Sequence, residues 1–362
     1  MKNQKKIRIM VLYGGRSGEH EISLRSAASV IEFLDPHRFE VLPVLIDKEG
    51  KWHLKSKNLS HPVLLLPYPV DRKAHFFYLE TPGRREAIDV VFPVMHGPLC
   101  EDGTIQGLLE LADVPYVGSG VLASAIGMDK VIAKKLAKSA GIPVVRSITV
   151  KKCQWQAEPR LASRIDKELG YPVFVKPANL GSSVGVHKVK QAEQLEEALK
   201  DAFRYDFKIL IEKAVNAREI EFAVLEDSKL GNPPLVSAPG EVISQHEFYS
   251  YEAKYLDEKG AKLLIPAPLS PSQIVTAQQI ARGAFEILEC EGMARVDLFL
   301  DQDSGDFYFN EVNTLPGFTS ISMYPKMWEY SGIPYRELLS HLVDLAIARQ
   351  VRKKDLVRDY HC

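Results

Sequence analysis

Three oxygen-bearing side chains near the end of the chain, Asp297, Glu311 and Asn313, fall at a spacing that suits a cation. Ala294–Asp301 reads as a strand and Phe307–Asn313 as a second. Gln302, Asp303, Ser304, Gly305 and Asp306 supply turn chemistry between them. Pairing Asp301 with Phe307 sets Asp297 opposite Glu311 and Arg295 opposite Asn313, and the two-residue period puts all four on one face. Facing carboxylates repel one another unless a cation intervenes. An all-oxygen set suits Mg²⁺, which takes one or two carboxylates and completes its shell with water and phosphate. A solvated acidic hairpin is the alternative. Phe299, Phe307 and Phe309, expected on the same face, favour a cleft.

Lys176-Pro-Ala-Asn-Leu-Gly181-Ser182-Ser183-Val184-Gly185 has the composition of a phosphate cradle: glycines for close backbone approach, hydroxyls as donors, and a lysine at the strand end. It is neither a P-loop nor a dinucleotide fingerprint. An ordinary Gly/Ser hairpin is the other reading. Ile211–Val215 ends a buried strand, where backbone groups can read adenine and Glu212 can bind ribose hydroxyls; a solvated Glu-Lys pair is the plainer reading. Gly14–Glu19 links the first strand to the first helix, so Glu19 is either a first-turn acid favoured by the helix dipole or a ligand for an ammonium group. His96-Gly97 ends another strand and opens on the same crevice. Tyr249–Tyr255, with Lys254, lies in a long polar and aromatic insertion of the kind that forms lids.

The elements that must position these residues are legible in part. Ile7–Tyr13, Phe39–Asp47 and Ile88–Met95 read as buried strands, with helices at Glu19–Leu34 and Thr104–Leu111. This βαβ order predicts an α/β, Rossmann-like open and mainly parallel sheet. Residues 50–87 are Pro-rich and irregular. A helix over Ala123–Ala140 stops at Gly141-Ile142-Pro143. Strands at Tyr171–Lys176, Val186–Val189 and Lys208–Glu212, with a helix at Gln191–Phe203, give an α+β block. A third, strand-rich block contains the 240–262 insertion and the 294–313 hairpin and closes with a helix, Tyr335–Ala346, before a basic tail, Arg352–Cys362.

At 362 residues the chain can hold two or three cores. A net charge of −1 gives no reason to expect nucleic acid or an anionic membrane as a partner. Cys100, Cys153, Cys290 and Cys362 are scattered, as in a cytosolic protein with reduced thiols. No apolar run approaches the roughly 18 residues that span a bilayer.

In order along the chain, these motifs resemble the ATP-grasp superfamily and, within it, the D-alanine–D-alanine ligases. The resemblance runs from Arg8 to Ala346, through GGRSGEHEISLRSA, HGPLCEDGTIQG, GSGVLASAIGMDK, KPANLGSSVGV, HEFYSYEAKYLD and NEVNTLPGFTS. It implies three domains, 1–122, 123–215 and 216–362, with ATP between the last two. Lys130, Lys176, Lys213 and Ser183 would contact the nucleotide's phosphates or base edge, Glu212 and Glu219 the ribose, and the backbone of Ala214 and Val215 the adenine. Asp297, Glu311 and Asn313 would hold two Mg²⁺ or Mn²⁺ ions; a monovalent cation is left open. One D-alanine would meet Glu19 and Arg295 near His96, and a second Ser322, Gly317 and Met323. Lys254 would lie against the transferred phosphate, and Glu19, Ser182 and Tyr255 would form a hydrogen-bonded set. Tyr255 favours D-alanine as second substrate over D-lactate, the variant reaction of the same fold. A cytoplasmic homodimer is implied. Cys100, Phe318 and Met323 depart from the family pattern without removing a reactive group.

Overall fold

The computed structural model describes residues 5–244 and 261–357. Its first sheet contains β1 (Ile7–Gly14), β2 (Phe39–Ile46), β3 (Trp52–Ser56), β4 (Leu59–Leu65), β5 (Ala74–Tyr78), β6 (Arg85–Ile88) and β7 (Val90–Met95), in the order β6-β5-β4-β3-β2-β1-β7. Only β1 with β2 and β1 with β7 pair in parallel. Residues 50–87, unplaced from sequence, form the antiparallel meander β3–β6, so the sheet is mixed and not mainly parallel. The cause is local: Asp47 Oδ1 accepts the N–H groups of Glu49 (3.0 Å) and Lys51 (2.8 Å), closing a turn too short for a parallel crossover. Helix α1 (His20–Phe33) crosses from β1 to β2, and α2 (Thr104–Leu111) follows β7.

The helix expected over 123–140 is two helices, α3 (Val121–Met128) and α4 (Lys130–Ser139). Asp129 breaks it, because its carboxylate accepts from Val131 N and Ile132 N, both at 3.1 Å, as an N-cap. The second sheet is wholly antiparallel, β10-β9-β11-β8, built from β8 (Ser147–Lys151), β9 (Val173–Pro177), β10 (His187–Val189) and β11 (Lys208–Lys213). Helices α5 (Lys152–Ala157), α6 (Leu161–Glu168) and α7 (Leu195–Ala202) complete the block. Ile148, Ile165, Val175, Leu199 and Ile211 are buried together there as a separate core.

The third sheet runs β15-β14-β12-β16-β17, from β12 (Ala217–Leu225), β14 (Gly240–Ser244), β15 (Ala261–Leu264), β16 (Met293–Asp301) and β17 (Phe307–Asn313), with the short β13 (Leu235–Val236) on β12. Behind it lies α8 (Pro271–Ile287), absent from the sequence reading although Ser270 and Gln273 form a capping box at its start. Then come α9 (Met323–Tyr330) and α10 (Tyr335–Lys354), which continues well past Ala346 and takes up the first residues of the basic tail. Ala123, Ala133 and Ala137 of α3 and α4 pack into the core of the third sheet, although they precede the second in sequence. Val11 and Phe92 of the first sheet share one core with Leu225, Met293, Met327 and Leu342. The first and third sheets are thereby fused, and the second stands beside them. No helix among the described residues is long and apolar enough to cross a membrane.

Candidate active site

The 294–313 hairpin keeps the expected pairing around Asp297 and shifts register beyond it. Arg295 lies opposite Asn313 and Asp297 opposite Glu311, but Leu300, not Asp301, pairs with Phe307. A bulge at Asn310 absorbs the one-residue difference. Its consequence is a change of face, since a slip of one residue inverts every side chain beyond it. Phe307 and Phe309 are therefore buried in the core behind the sheet and do not flank the acids.

Charge on this face is closely matched. The Arg295 guanidinium donates from Nε and Nη2 to the two oxygens of Asp297, 2.7 Å each, and its Nε lies 3.2 Å from Glu221. Burial opposes the charge on Arg295, but Asp297 and Glu221 outweigh it and hold the group well above its ordinary pKa. Asn313 Nδ2 donates to Asp297 (3.1 Å), which commits the amide nitrogen and keeps its oxygen as a donor for a cation. Lys130 Nζ sits 3.0 Å from Glu311 and donates to the Leu180 carbonyl at 2.8 Å, tying the hairpin to the Gly/Ser loop. Among the described residues no three His, Cys, Asp or Glu side chains form a metal cluster. Two acids and an amide are too few for Mg²⁺ alone but fit an ion whose remaining ligands are phosphate and water.

Glu19, before α1, meets the loop between β9 and β10: the Ser182 hydroxyl donates to its Oε1. Ser182 and Ser183 both have positive φ, 55° and 58°, a conformation that non-glycine residues adopt at a cost and that this contact helps hold. Gly97 closes the other side. Its φ is +77°, and a Cβ there would stand 2.7 Å from Glu19 Oε2, so any side chain would be strained and would press on Glu19. His96 is buried, with Nδ1 3.2 Å from the Leu315 carbonyl and Nε2 3.3 Å from Ser26 Oγ. Burial lowers its pKa against the opposing pull of the Glu19 charge, and nearby Arg295 lowers it further. The charges of Glu19 and Arg295 thus both bear on His96 and on Glu101, which brings the two groups into one neighbourhood. Ser322, just before α9, accepts from Thr319 N (2.9 Å) and lies 2.8 Å from where a Gly317 Cβ would be, with Met323 buried behind it.

On the nucleotide side, Lys176 Nζ is 2.7 Å from Glu212 Oε2 and lies over the rings of Phe299 (5.5 Å) and Phe174 (5.6 Å). Glu212, expected at a ribose, is fully buried with its other oxygen 2.6 Å from Lys134. Burial raises its pKa, but the two lysines overcome that and hold it at about 2. Lys213 Nζ turns to the carbonyls of Gly170 and Tyr171, 3.4 Å each, and Ala214 N donates to Pro172 O at 3.0 Å as the chain runs through Val215 towards β12. Glu219 lies two residues before Glu221 on the same face of β12, paired with Phe299. Lys254 and Tyr255 lie outside the described residues.

Sequence reasoning passed over three charged groups here. Glu221 alternates with Glu219 along β12. Lys134 follows Lys130 by one helical turn. Glu101 lies within HGPLCEDG and accepts the Gly97 N–H at 2.8 Å. Burial and then repulsion from Glu19 push the Glu101 carboxyl up to about 8, against the pull of the Gly97 N–H and Arg295. Each had a signal in strand or helix periodicity or in a quoted motif.

Comparison with known proteins bears on the family and the fold. Residues 8–119 match the family model for the D-ala D-ala ligase N-terminus, and residues 136–344 that for its C-terminus. The chain is 55% identical to D-alanine--D-alanine ligase A of Bradyrhizobium diazoefficiens, over 98% of this chain and 99% of that one. It is 49% identical to the D-alanine--D-alanine ligase of Heliobacterium modesticaldum, over 96% of each. Among solved structures, the D-alanine-D-alanine ligase from Coxiella burnetii superposes with a TM-score of 0.83 at 37% identity, covering 98% of both chains. The VanG D-Ala:D-Ser ligase of Enterococcus faecalis gives a TM-score of 0.84 at 34% identity, over 94% of this chain and 100% of that one. With both family models matched across nearly its whole length and its three sheets those of the ATP-grasp fold, the chain belongs to the D-alanine–D-alanine ligase family.

Proposed function

We propose that this chain joins two D-alanine molecules into D-alanyl-D-alanine while converting ATP to ADP and phosphate. The observation that carries the reading is the convergence of Glu19 from the first sheet, Ser182 from the second and Arg295 from the third. A carboxylate and a guanidinium brought near one buried histidine suit the two ends of an amino acid. The ammonium of the first D-alanine pairs with Glu19. Its carboxylate pairs with Arg295, whose Nε and Nη2 are taken by Asp297 while Nη1 takes part in neither bond.

A carboxylate oxygen attacks the γ-phosphorus, the bond to ADP breaks, and an acyl phosphate forms. The unprotonated amine of the second D-alanine then adds to the acyl carbon. The resulting tetrahedral intermediate loses phosphate, and the nitrogen loses a proton, as the amide forms. Arg295 offsets the oxyanion charge. Ser322 and the N–H groups opening α9 receive the second carboxylate, where the helix dipole favours an anion. Lys130, Lys176, Lys213 and Ser183 serve the nucleotide's phosphates or base edge, and Ala214 and Val215 the adenine. Glu219 takes the ribose hydroxyls, while Glu212 is engaged in orienting Lys176. Asp297, Glu311 and Asn313 would hold Mg²⁺ or Mn²⁺, which when bound draws charge from the phosphate oxygens. Lys254 and Tyr255 complete the set from the 240–262 segment, with Tyr255 selecting an amine as second nucleophile. The same family reading implies a cytoplasmic homodimer.

ADP release and product mass test this together. D-alanine and ATP should give the dipeptide, L-alanine should not, and added D-lactate should give little ester. Equal turnover of L-alanine would sink the assignment, and a dominant ester product would move it to the D-alanine–D-lactate reaction.

A further inference from the structure

Lys134 belongs to none of the roles above, yet it is among the most deeply buried charges in the molecule, 4% exposed. It stands one turn after Lys130 on α4, so both ammonium groups leave the same helix face. Lys130 reaches Glu311 (3.0 Å) and the Leu180 carbonyl (2.8 Å). Lys134 reaches Glu212 (2.6 Å) and donates to the Phe309 carbonyl at 3.2 Å. Phe309 borders the bulge, and its own N–H donates to Pro143 O at 2.8 Å. At the residue where the hairpin register changes, then, Lys134 and Pro143 supply partners from outside the hairpin. Glu212 shares its other oxygen with Lys176, which lies over Phe299 of β16.

Burying an ammonium group is costly. Here two of them share one carboxylate, a combination that an apolar side chain in place of Lys134 would avoid. Resting on the nucleotide-cleft reading above, we propose that Lys134 is a positioning residue for ATP: it locks Glu212 of β11 to the bulge of β17, and it leaves the Lys134–Glu212–Lys176 triad with a net positive charge for the nucleotide's phosphates. Lys134 does not itself touch ATP; it acts through Glu212, Lys176 and the placement of Glu311 two residues beyond Phe309.

A structural lysine and a positioning lysine differ in what its removal does. In Lys134→Met, Glu212 retains Lys176, so no buried charge is left alone and the thermal midpoint should hold or rise. The dissociation constant for ADP with Mg²⁺, read by calorimetry, should rise about tenfold, or 1.4 kcal/mol. The KM for ATP should rise in parallel while the KM values for D-alanine stay within twofold, and Lys134→Arg should recover most of the ADP affinity. If Lys134→Met does not fold, Lys134→Gln, which keeps donors without the charge, carries the same test. ADP affinity within twofold of wild type in the folded neutral variant overturns the proposal, as does an equal rise in the KM values for ATP and D-alanine. Wild-type protein that binds no ADP overturns the nucleotide-cleft reading and this proposal with it.

Discussion

Arg295 is held from two sides, by Asp297 on its own strand and Glu221 on the neighbouring one, so its guanidinium is fixed before any ligand arrives. A pre-oriented charge contributes most to a transition state, because nothing has to reorganise when the oxyanion forms. Arg295→Ala should lower kcat/KM for D-alanine by about 10²–10³, and a loss under tenfold in steady-state kinetics would remove Arg295 from the mechanism. Glu101 offers a pH test. Its carboxyl is raised from 4.5 to about 8 in the folded protein, so the protonated form is favoured by folding. That contribution is present below the unfolded pKa and is lost as pH rises from about 4.5 to 8. Glu101→Gln should therefore lose less thermal stability than wild type between about pH 5 and pH 9. Parallel melting curves for the two proteins over that range would remove Glu101 from the buried charge cluster. At this scale the sequence was informative: types and spacing were enough to group Arg295, Asp297, Glu311 and Asn313. Glu101 and Lys134 were passed over although a quoted motif and helix periodicity pointed to their positions, because their surroundings of other charges come from segments remote in sequence.

At the scale of elements, the hairpin shows how a correct pairing can come from an incorrect register. The sequence carries no mark of the bulge at Asn310, and two-residue periodicity beyond it placed Phe307 and Phe309 on the wrong face. The 123–140 helix failed for a different reason. Its apolar spacing continues through Asp129, whose preference for an N-cap outweighed it. In residues 50–87, Pro62, Pro67, Pro69 and Pro82 read as breakers, whereas the sheet accommodates Pro62 inside β4 opposite His53. The Gly97 turn makes the sharpest prediction here. Gly97→Ala adds a methyl group 2.7 Å from Glu19 Oε2 at a φ of +77°, so the turn or Glu19 must move. The KM for the first D-alanine should rise by about tenfold or more with ATP binding unchanged; an unaltered KM would mean that this turn does not shape the ammonium site.

For the whole molecule, the first and third sheets share a core and the second does not, an arrangement that lets the second sheet's Gly/Ser loop meet a fixed platform. Part of that platform is fastened by Arg349 of α10, which donates to the carbonyls of Gly118 (2.6 Å) and Tyr116 (2.7 Å) and lies 3.2 Å from Glu291. These partners are remote in sequence, so nothing local announced the clamp. Removing it strands buried carbonyls, and Arg349→Met should lower the thermal midpoint by several degrees while leaving the KM values near wild type. A KM shift without a stability loss would show that the clamp acts on the site directly. On the proposed mechanism, the carboxylate of one D-alanine becomes an acyl phosphate beside Glu19, Ser182 and Arg295. Turnover of D-alanine carrying heavy oxygen in its carboxyl group tests it most directly, read as the isotopic content of the phosphate released. The mechanism predicts one labelled oxygen transferred to phosphate for each dipeptide formed, and phosphate free of label would contradict it.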